Sequence, residues 1–158
     1  MPARVKLSDI LKGLEMQGDE VHTFVDRQTG EVVRVTDEDA GAVEDGDDLS
    51  DCADWQKESI EQARLVDADD AGRFVALPDR FEIDEWRMMR DFSLSVEDEA
   101  VSSALLNAIQ GRGAFRYFKD QLHERGMADR WYAFRDERYR QIALDWCEAN
   151  GLELDAGA

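Results

Sequence analysis

Two short runs of β-branched and aromatic residues, joined by a link that contains a glycine, constrain the fold of this chain most strongly. Residues 21–26 (VHTFVD) and 31–36 (EVVRVT) each have the length of one strand. Residues 27–30 (RQTG) supply the glycine that a short loop needs for a positive φ. The pattern predicts a β-hairpin. A further run, residues 73–77 (RFVAL), stops at Pro78 and predicts a third strand of the same small sheet.

Helical periodicity and one acidic stretch surround these strands in the first half. Ser8 is placed to cap a short helix that ends at Gly18, and apolar residues recur at helical spacing between residues 53 and 66. From residue 37 to residue 54 the chain carries nine acids and no base. This composition predicts a solvated, mobile loop.

The second half has helical patterns throughout. Four helices are predicted, over residues 84–93, 95–109, 114–125 and 129–150, with glycines ending the last three. Short links between helices of this kind predict a compact four-helix arrangement.

The predicted fold class is therefore α+β: a small antiparallel sheet, made of the hairpin and a third strand, has flanking helices and is followed by a compact four-helix half. We expect a single domain over residues 1–158. Within it lie an α+β sub-structure (1–78, with the acidic loop 37–54), a helical sub-structure (79–151) and a frayed tail (152–158).

Charge and apolar content limit the possible partners and the location. The formal net charge is -18, from 37 acids against 19 bases. Phosphate repels such a surface, so nucleic acid is an improbable partner. No apolar run approaches the ~20 residues of a membrane span, and the start of the chain lacks the apolar core of a signal peptide. We expect a cytoplasmic protein that does not enter a membrane.

Metal, thiol and catalytic patterns are weak. Cys52 and Cys147 have no metal-ligand spacing and are predicted to be reduced, structural thiols. The two histidines, His22 and His123, adjoin no nucleophile motif. We therefore predict no cofactor, no metal and no catalytic residues. The pattern gives no oligomeric state.

Positive charge is concentrated in residues 111–140, where eight Arg and Lys residues face five acids. Such a local reversal of sign indicates an anion site, a nucleic-acid surface or a scaffold of internal salt bridges. A Gly-Arg-Gly turn precedes the third predicted helix, and free N–H groups at a helix start attract anions. At about 100° per residue, four residues fall within a wedge of roughly 60°: Arg112, Arg116, Lys119 and His123.

Arg135 has two alternative roles. It lies within the apolar arc of the fourth helix, where a guanidinium needs a partner. It can join the anion site as a further member. Alternatively, it forms an internal salt bridge with a carboxylate, the candidates being Asp84, Glu85, Asp91 and Asp136.

The aromatic residues of the second half are assigned to the core rather than to a base-stacking platform, since buried aromatics are the more common case. The assigned residues are Trp86, Phe115, Phe118, Trp131, Tyr139 and Trp146.

Several phrases of the sequence are similar to a known family. They are FEIDEWRMMRDF (81–92), GRGAFRYFKD (111–120), WYAFRDERYRQIALDWCEANG (131–151) and the hairpin VDRQTGEVVRV (25–35). In these the chain resembles the bacterial uncharacterised protein family 0158. The acidic stretch 37–54 lies outside the resemblance. The resemblance implies the boundaries of the fold, and it implies no activity or site residues.

Three functions are compatible with these patterns. The leading expectation is a cytoplasmic binding or regulatory protein that recognises an anionic group, on a small ligand or on a protein partner, through the Arg and Lys stripe. One alternative is an acidic inhibitor or immunity-type protein, which would use the acidic stretch 37–54 to dock on a basic partner. The other is an enzyme for a phosphorylated or nucleotide substrate, which needs a pocket that combines His123 with a carboxylate and the arginines. The prediction favours a protein without enzymatic activity.

Overall fold

The computed structural model describes residues 4–46 and 53–155. The chain forms two compact units. Unit 1 comprises residues 1–80 and 143–158, and unit 2 comprises residues 81–142. In chain order the elements are β1 (Arg4–Lys6), α1 (Leu7–Met16), β2 (Val21–Asp26), β3 (Val32–Thr36), α2 (Asp37–Asp45), α3 (Asp54–Asp67), β4 (Phe74–Ala76), α4 (Arg80–Ile83), α5 (Glu85–Ser95), α6 (Glu99–Ala108), α7 (Ala114–Glu124), α8 (Ala128–Ala149) and β5 (Glu153–Asp155).

Unit 1 contains an antiparallel sheet of three strands in the order β3-β2-β4. The hairpin register runs from Val21 opposite Thr36 to Val25 opposite Val32. Gly30 has a φ of 78° in the connecting loop. This positive φ is the conformation for which the loop was predicted to need a glycine. The predicted hairpin, the third strand and the α+β class are confirmed.

A second, parallel pair of strands joins β1 to β5. Val5 lies opposite Leu154 and is completely buried. The predicted frayed tail (152–158) is therefore wrong for residues 152–155, because Leu152 is buried and the next three residues form β5. Residues 156–158 lie outside the described residues.

The predicted acidic loop (37–54) is wrong over residues 37–45, which form α2. The side chain of Thr36 caps this helix by accepting a hydrogen bond from the N–H of Asp39 at 3.1 Å. Gly46, with a φ of 67°, ends it. Acids in the first turn interact favourably with the positive end of the helix dipole, so an acidic sequence is compatible with a helix here. Residues 47–52 of the predicted loop are not among the described residues.

Helix α1 packs closely on one face of the three-stranded sheet. The hydroxyl of Thr23 donates to the carbonyl of Gly13 at 3.3 Å. A Cβ at Gly13 would lie 2.6 Å from Leu77 Cδ1 and 3.2 Å from Val32 Cγ1, so this approach depends on glycine. The predicted cap at Ser8 is wrong. The helix begins at Leu7, and its cap residue Lys6 makes no side-chain cap bond.

The other face of the sheet packs against the helices that follow it. Val33 and Val35 of β3 are buried together with Ala63 of α3. Phe24, Val43, Val66 and Phe74 pack around this cluster. The sheet is thus covered on both faces, as the β-branched composition of its strands favours.

A buried ion pair joins the end of β2 to the start of β4. Asp26 is only 4% exposed, and Arg73 donates to both of its carboxylate oxygens, from Nε to Oδ1 at 2.9 Å and from Nη2 to Oδ2 at 2.8 Å. The N–H of Gln28 donates to Oδ1 as well. The Arg73 guanidinium and the Gln28 N–H keep the pKa of Asp26 below its ordinary value, although burial acts in the opposite direction.

Unit 2 is helical and has an aromatic core. Phe118 and Trp131 meet edge to face with ring centroids 5.0 Å apart, and Phe92 and Phe134 complete the cluster. The four predicted helices correspond to α5, α6, α7 and α8. The helical sub-structure predicted over residues 79–151 needs one correction, because residues 143–151 group with unit 1.

The residues assigned to the core divide into two groups. Phe118, Trp131 and Tyr139 are buried. Trp146 is half-buried, and its Nε1 donates to the carbonyl of Ala76 at 3.0 Å. Trp86 and Phe115 do not fit the assignment because they are 38% and 46% exposed. The helical period shows which residues share a face but not how far a neighbouring element covers it.

Candidate functional site

The basic stripe, which we define as Arg112, Arg116, Lys119 and His123, is exposed along its whole length. Three of its members lie on α7 at i, i+3 and i+7. Arg112 instead lies in the turn before α7, between Gly111 (φ 79°) and Gly113 (φ 76°). The glycine turn therefore positions Arg112, while the helical period positions the other three.

The positive end of α7 has no carboxylate near it in sequence. Its N-cap is Gly113, which has no side chain, and its first turn contains no acid. The two preceding helices differ, because the side chains of Asp84 and Asp98 cap α5 and α6. The N–H groups in the first turn of α7 thus have no side-chain acceptor from their cap, and Arg112 adds positive charge beside them.

The stripe has no carboxylate partners within residues 4–46 and 53–155. No ion pair to Arg112, Arg116 or Lys119 occurs there, although Asp120 and Glu124 are on the same helix. Three other arginines of unit 2 are paired with carboxylates: Arg87 contacts Asp84, and Arg90 and Arg138 contact Asp91. The guanidinium of Arg116 lies 5.7 Å from the ring centroid of its neighbour Tyr117.

Two aromatic side chains flank the stripe on the surface. Phe115 is 46% exposed and Tyr117 is 50% exposed. Exposed aromatic rings beside arginines are characteristic of residues that anchor protein interfaces. The start of α7 therefore carries both positive charge and apolar contact area.

Arg135 is part of an internal salt bridge. Its Nε donates to Glu85 Oε1 at 2.8 Å, and the hydroxyl of Tyr139 donates to the same oxygen at 2.6 Å. The guanidinium also lies over the Tyr139 ring, 4.3 Å from its centroid. Of the two roles open to Arg135, the structure shows the salt bridge. The carboxylate of Glu85 neutralises this guanidinium, so Arg135 is not a free cation of the stripe.

Unit 1 forms a cleft that the sequence did not predict. Its volume is about 1020 Å³, and α1, α2, α3 and the β3 edge of the sheet all contribute to its lining. Its lining includes the side chains of Asp9, Lys12, Glu31, Arg34, Glu38, Asp39, Trp55 and Ile60. Each segment has an ordinary amphipathic or strand pattern, so nothing in the local sequence indicated that the four would enclose one space. No residue of the basic stripe lines this cleft.

Chemical groups for metal binding or thiol chemistry are sparse. No group of three or more His, Cys, Asp or Glu residues in the described part of the chain is arranged to hold a metal ion. Cys147 is a free thiol, and its burial raises its pKa. Such a thiol is a poor nucleophile, since the thiolate is the reactive form. Within the same residues, none of the helices has both the length and the apolar character needed to cross a bilayer.

These features define an acidic α+β protein with a stripe of exposed cations, without carboxylate partners among the described residues, along one helix. The profile of the uncharacterised protein family UPF0158 matches residues 1–156. The chain belongs to this family, as the resemblance of its hairpin and of the phrases in its second half predicted.

A relative in the same family comes from Pseudomonas aeruginosa. Over 67 residues the chain is 39% identical to the UPF0158 protein PA5073 of strain PAO1. The aligned region is 42% of this chain and spans 44% of the relative, which is less than half the length of that protein. No solved structure matches the chain.

Proposed function

We propose that this protein is a cytoplasmic binding or regulatory protein that recognises an anionic group through Arg112, Arg116 and Lys119. The observation that carries the proposal is that these exposed cations have no carboxylate partner among the described residues. This occurs in a chain with 37 acids and 19 bases. In such a chain a cation without an internal partner is free to bind an external anion.

The surroundings of the stripe favour an anionic group on a protein partner over a small ligand. Small-molecule sites are concave and enclose most of their ligand. The stripe instead lies on exposed helix surface beside Phe115 and Tyr117, which offer the apolar contact area of a protein interface. We therefore propose that the partner presents carboxylate or phosphate groups next to an apolar patch.

A charge-matched pair of variants tests the proposal. Arg112→Ala with Arg116→Ala removes two cations of the stripe. The control Arg125→Ala with Arg140→Ala removes the same charge from exposed positions outside it. The wild-type protein is used to capture partners from a bacterial lysate. Each purified partner, and a capped poly-glutamate peptide as a defined probe, is then titrated against all three proteins by calorimetry.

The stripe variant should bind at least about tenfold more weakly than wild type, because each lost contact is to a charged group. The control should stay within about twofold of wild type. Affinity for the wild type should fall as salt rises, since exposed charges are screened. Equal affinity of the stripe variant and wild type for every captured partner and for the peptide would show the proposal to be wrong.

The other two functions have less support. An acidic inhibitor would use the acidic stretch, of which α2 is the described part, and this remains a prediction. An enzyme would need His123 in a pocket with a carboxylate and the arginines. His123 is exposed on α7, and the described cleft does not include it.

A further inference from the structure

Strand β3 is an edge of the three-stranded sheet, and its hydrogen bonds alternate. The N–H of Asp26 donates to the carbonyl of Glu31 at 2.9 Å, just before β3, and the N–H of Asp37 donates to the carbonyl of Glu20 at 2.9 Å, just after it. In an antiparallel ladder every second residue bonds to its neighbour strand. These two bonds fix the alternation, so Val32 and Arg34 direct their backbone N–H and C=O groups away from β2.

The outward backbone groups of Val32 and Arg34 have no hydrogen-bond partner in the parts of the chain that the structure describes. Both residues line the cleft of unit 1. An open strand edge of this kind is a template for another strand, because its donors and acceptors are already aligned. The cleft thus has a row of backbone groups along one side.

The two walls of the cleft differ in chemistry. Helix α1 contributes Asp9 and Lys12. Helix α3 contributes Ile60 and the exposed ring of Trp55. An added strand would alternate its side chains between the two faces of the sheet, so each wall would receive every second residue. β3 has five residues, which at ~3.3 Å per residue corresponds to an added segment of about the same length.

Charge decides between the possible occupants of the cleft. Its lining contains the four carboxylates of Asp9, Glu31, Glu38 and Asp39 against the two cations Lys12 and Arg34. A second copy of this chain would bring another net charge of -18 to an acidic cleft. Repulsion between the copies opposes that pairing, whereas a segment with lysine or arginine side chains is attracted.

We propose that the cleft binds an extended, cationic peptide segment, which pairs with the outer edge of β3 as a fourth strand of the sheet. Main-chain hydrogen bonds to Val32 and Arg34 hold its backbone, and the rim carboxylates select its basic side chains. This site is independent of the basic stripe, because the stripe belongs to unit 2 and the cleft to unit 1.

The test uses the full chain and a defined probe. The probe is a capped five-residue peptide of alternating valine and lysine. Two analogues accompany it, one with methylated backbone nitrogens and one with glutamate in place of lysine. Binding is measured by calorimetry, and the amide signals of Val32 and Arg34 are followed by NMR.

One substitution separates the backbone of β3 from its side chains. Arg34→Pro removes an outward N–H without removing a bond to β2, which is the position where a strand tolerates proline. Arg34→Ala removes the same side chain and keeps the N–H, so it is the matched control. We expect Arg34→Pro to bind the lysine peptide at least about tenfold more weakly than Arg34→Ala does, because the two variants lack the same cation and only Arg34→Pro lacks the outward N–H.

With wild-type protein, the lysine peptide should bind and shift the Val32 and Arg34 amide signals, while both analogues should bind at least about tenfold more weakly. Four results would overturn the proposal. The first is no binding of the lysine peptide, and the second is binding of the methylated analogue as tight as that of the lysine peptide. The third is binding of the lysine peptide by a folded Arg34→Pro protein as tight as by Arg34→Ala. The fourth is dimerisation of the free chain through this edge. If Arg34→Pro does not fold, the methylated analogue decides with wild-type protein alone.

Discussion

The two units differ in the groups that form their interiors. Unit 1 encloses the carboxylate of Asp26 within a core of largely aliphatic residues and neutralises it with Arg73. The corresponding carboxylate of unit 2 is more exposed: the side chain of Glu85, which pairs with Arg135, is 28% exposed, against 6% for that of Asp26. The centre of unit 2 consists of aromatic rings that meet edge to face. The stability of unit 1 thus depends on an internal ion pair, and the stability of unit 2 depends on the packing of aromatic rings.

This difference has consequences for stability, because the two kinds of core respond to different perturbations. A buried ion pair loses its contribution when the carboxylate is protonated. Packed rings do not titrate, and they lose stability mainly when volume is removed. Acid should therefore act first on unit 1, and truncation of a ring should act on unit 2.

The largest effect is expected from Phe118→Ala in unit 2. Phe118 is fully buried and touches both Phe92 and Trp131, so the variant should lower the free energy of unfolding by about 3–5 kcal/mol. Urea unfolding followed by circular dichroism measures this loss. Tyr117→Ala is the matched control, since Tyr117 is the adjacent exposed ring of α7, and it should cost less than about 1 kcal/mol. Equal losses for the two variants would contradict the account of unit 2.

A smaller but still large effect is expected from Asp26→Asn in unit 1. The change removes the charge that Arg73 binds inside the fold, and we expect a loss of about 2–3 kcal/mol at neutral pH. The loss falls below the full cost of breaking a buried pair because the Arg73 side chain, 31% exposed, can reach water. The Asp37→Asn variant, which changes an exposed carboxylate that contacts His22, should cost less than about 1 kcal/mol.

The same pair predicts a pH dependence confined to unit 1. The pKa of Asp26 is lowered in the folded state, so its contribution is present above the ordinary value of 3.8 and is lost as pH falls through the folded value. Below pH 4, protection from hydrogen exchange, measured relative to the unfolded chain at the same pH, should thus be lost at Val25 in unit 1 before it is lost at Phe92 in unit 2. The difference should disappear in Asp26→Asn. Simultaneous loss of protection in both units of the wild type would show that Asp26 does not set the acid sensitivity of unit 1.

The smallest effect is expected from Thr36→Ala, at the junction of β3 and α2 in unit 1. The hydroxyl of Thr36 caps α2, and losing a cap of this kind costs about 1 kcal/mol. The Thr36→Ser variant keeps the hydroxyl and should keep the stability. Amide exchange at Asp39 reports the cap directly, because its N–H is the donor. Unchanged exchange in Thr36→Ala would show that the cap does not hold the start of α2.

The elements that the sequence predicted well are those whose signals are local. Alternation and a glycine link suffice for the β2 and β3 hairpin, and helical spacing with a glycine after the last turn suffices for α6, α7 and α8. For Arg135 the sequence named Glu85 among four possible carboxylates. Helical spacing cannot choose between them, because the answer depends on how α5 lies against α8.

The elements that the sequence missed depend on distant partners or on competing signals. Neither β1 nor β5 has a pattern of its own, since each has three residues and gains its bonds only from the other. For α2, the acidic composition predicted a loop. Thr36 followed by three acids is a signal for the start of a helix, and it was not given weight. The cleft forms where four separate segments come together, and no local sequence pattern predicts that they do so.

The pairing of β1 with β5 sets an order of events during protein synthesis. β1 leaves the ribosome before unit 2 does, whereas its partner Glu153–Asp155 is translated after unit 2. Unit 2 is one uninterrupted stretch, residues 81–142, and all of it has been translated before β5 emerges. The helical unit can therefore fold while β1 still lacks its neighbour. During that interval β1 has an open edge, and a chaperone or a premature strand partner would meet it there.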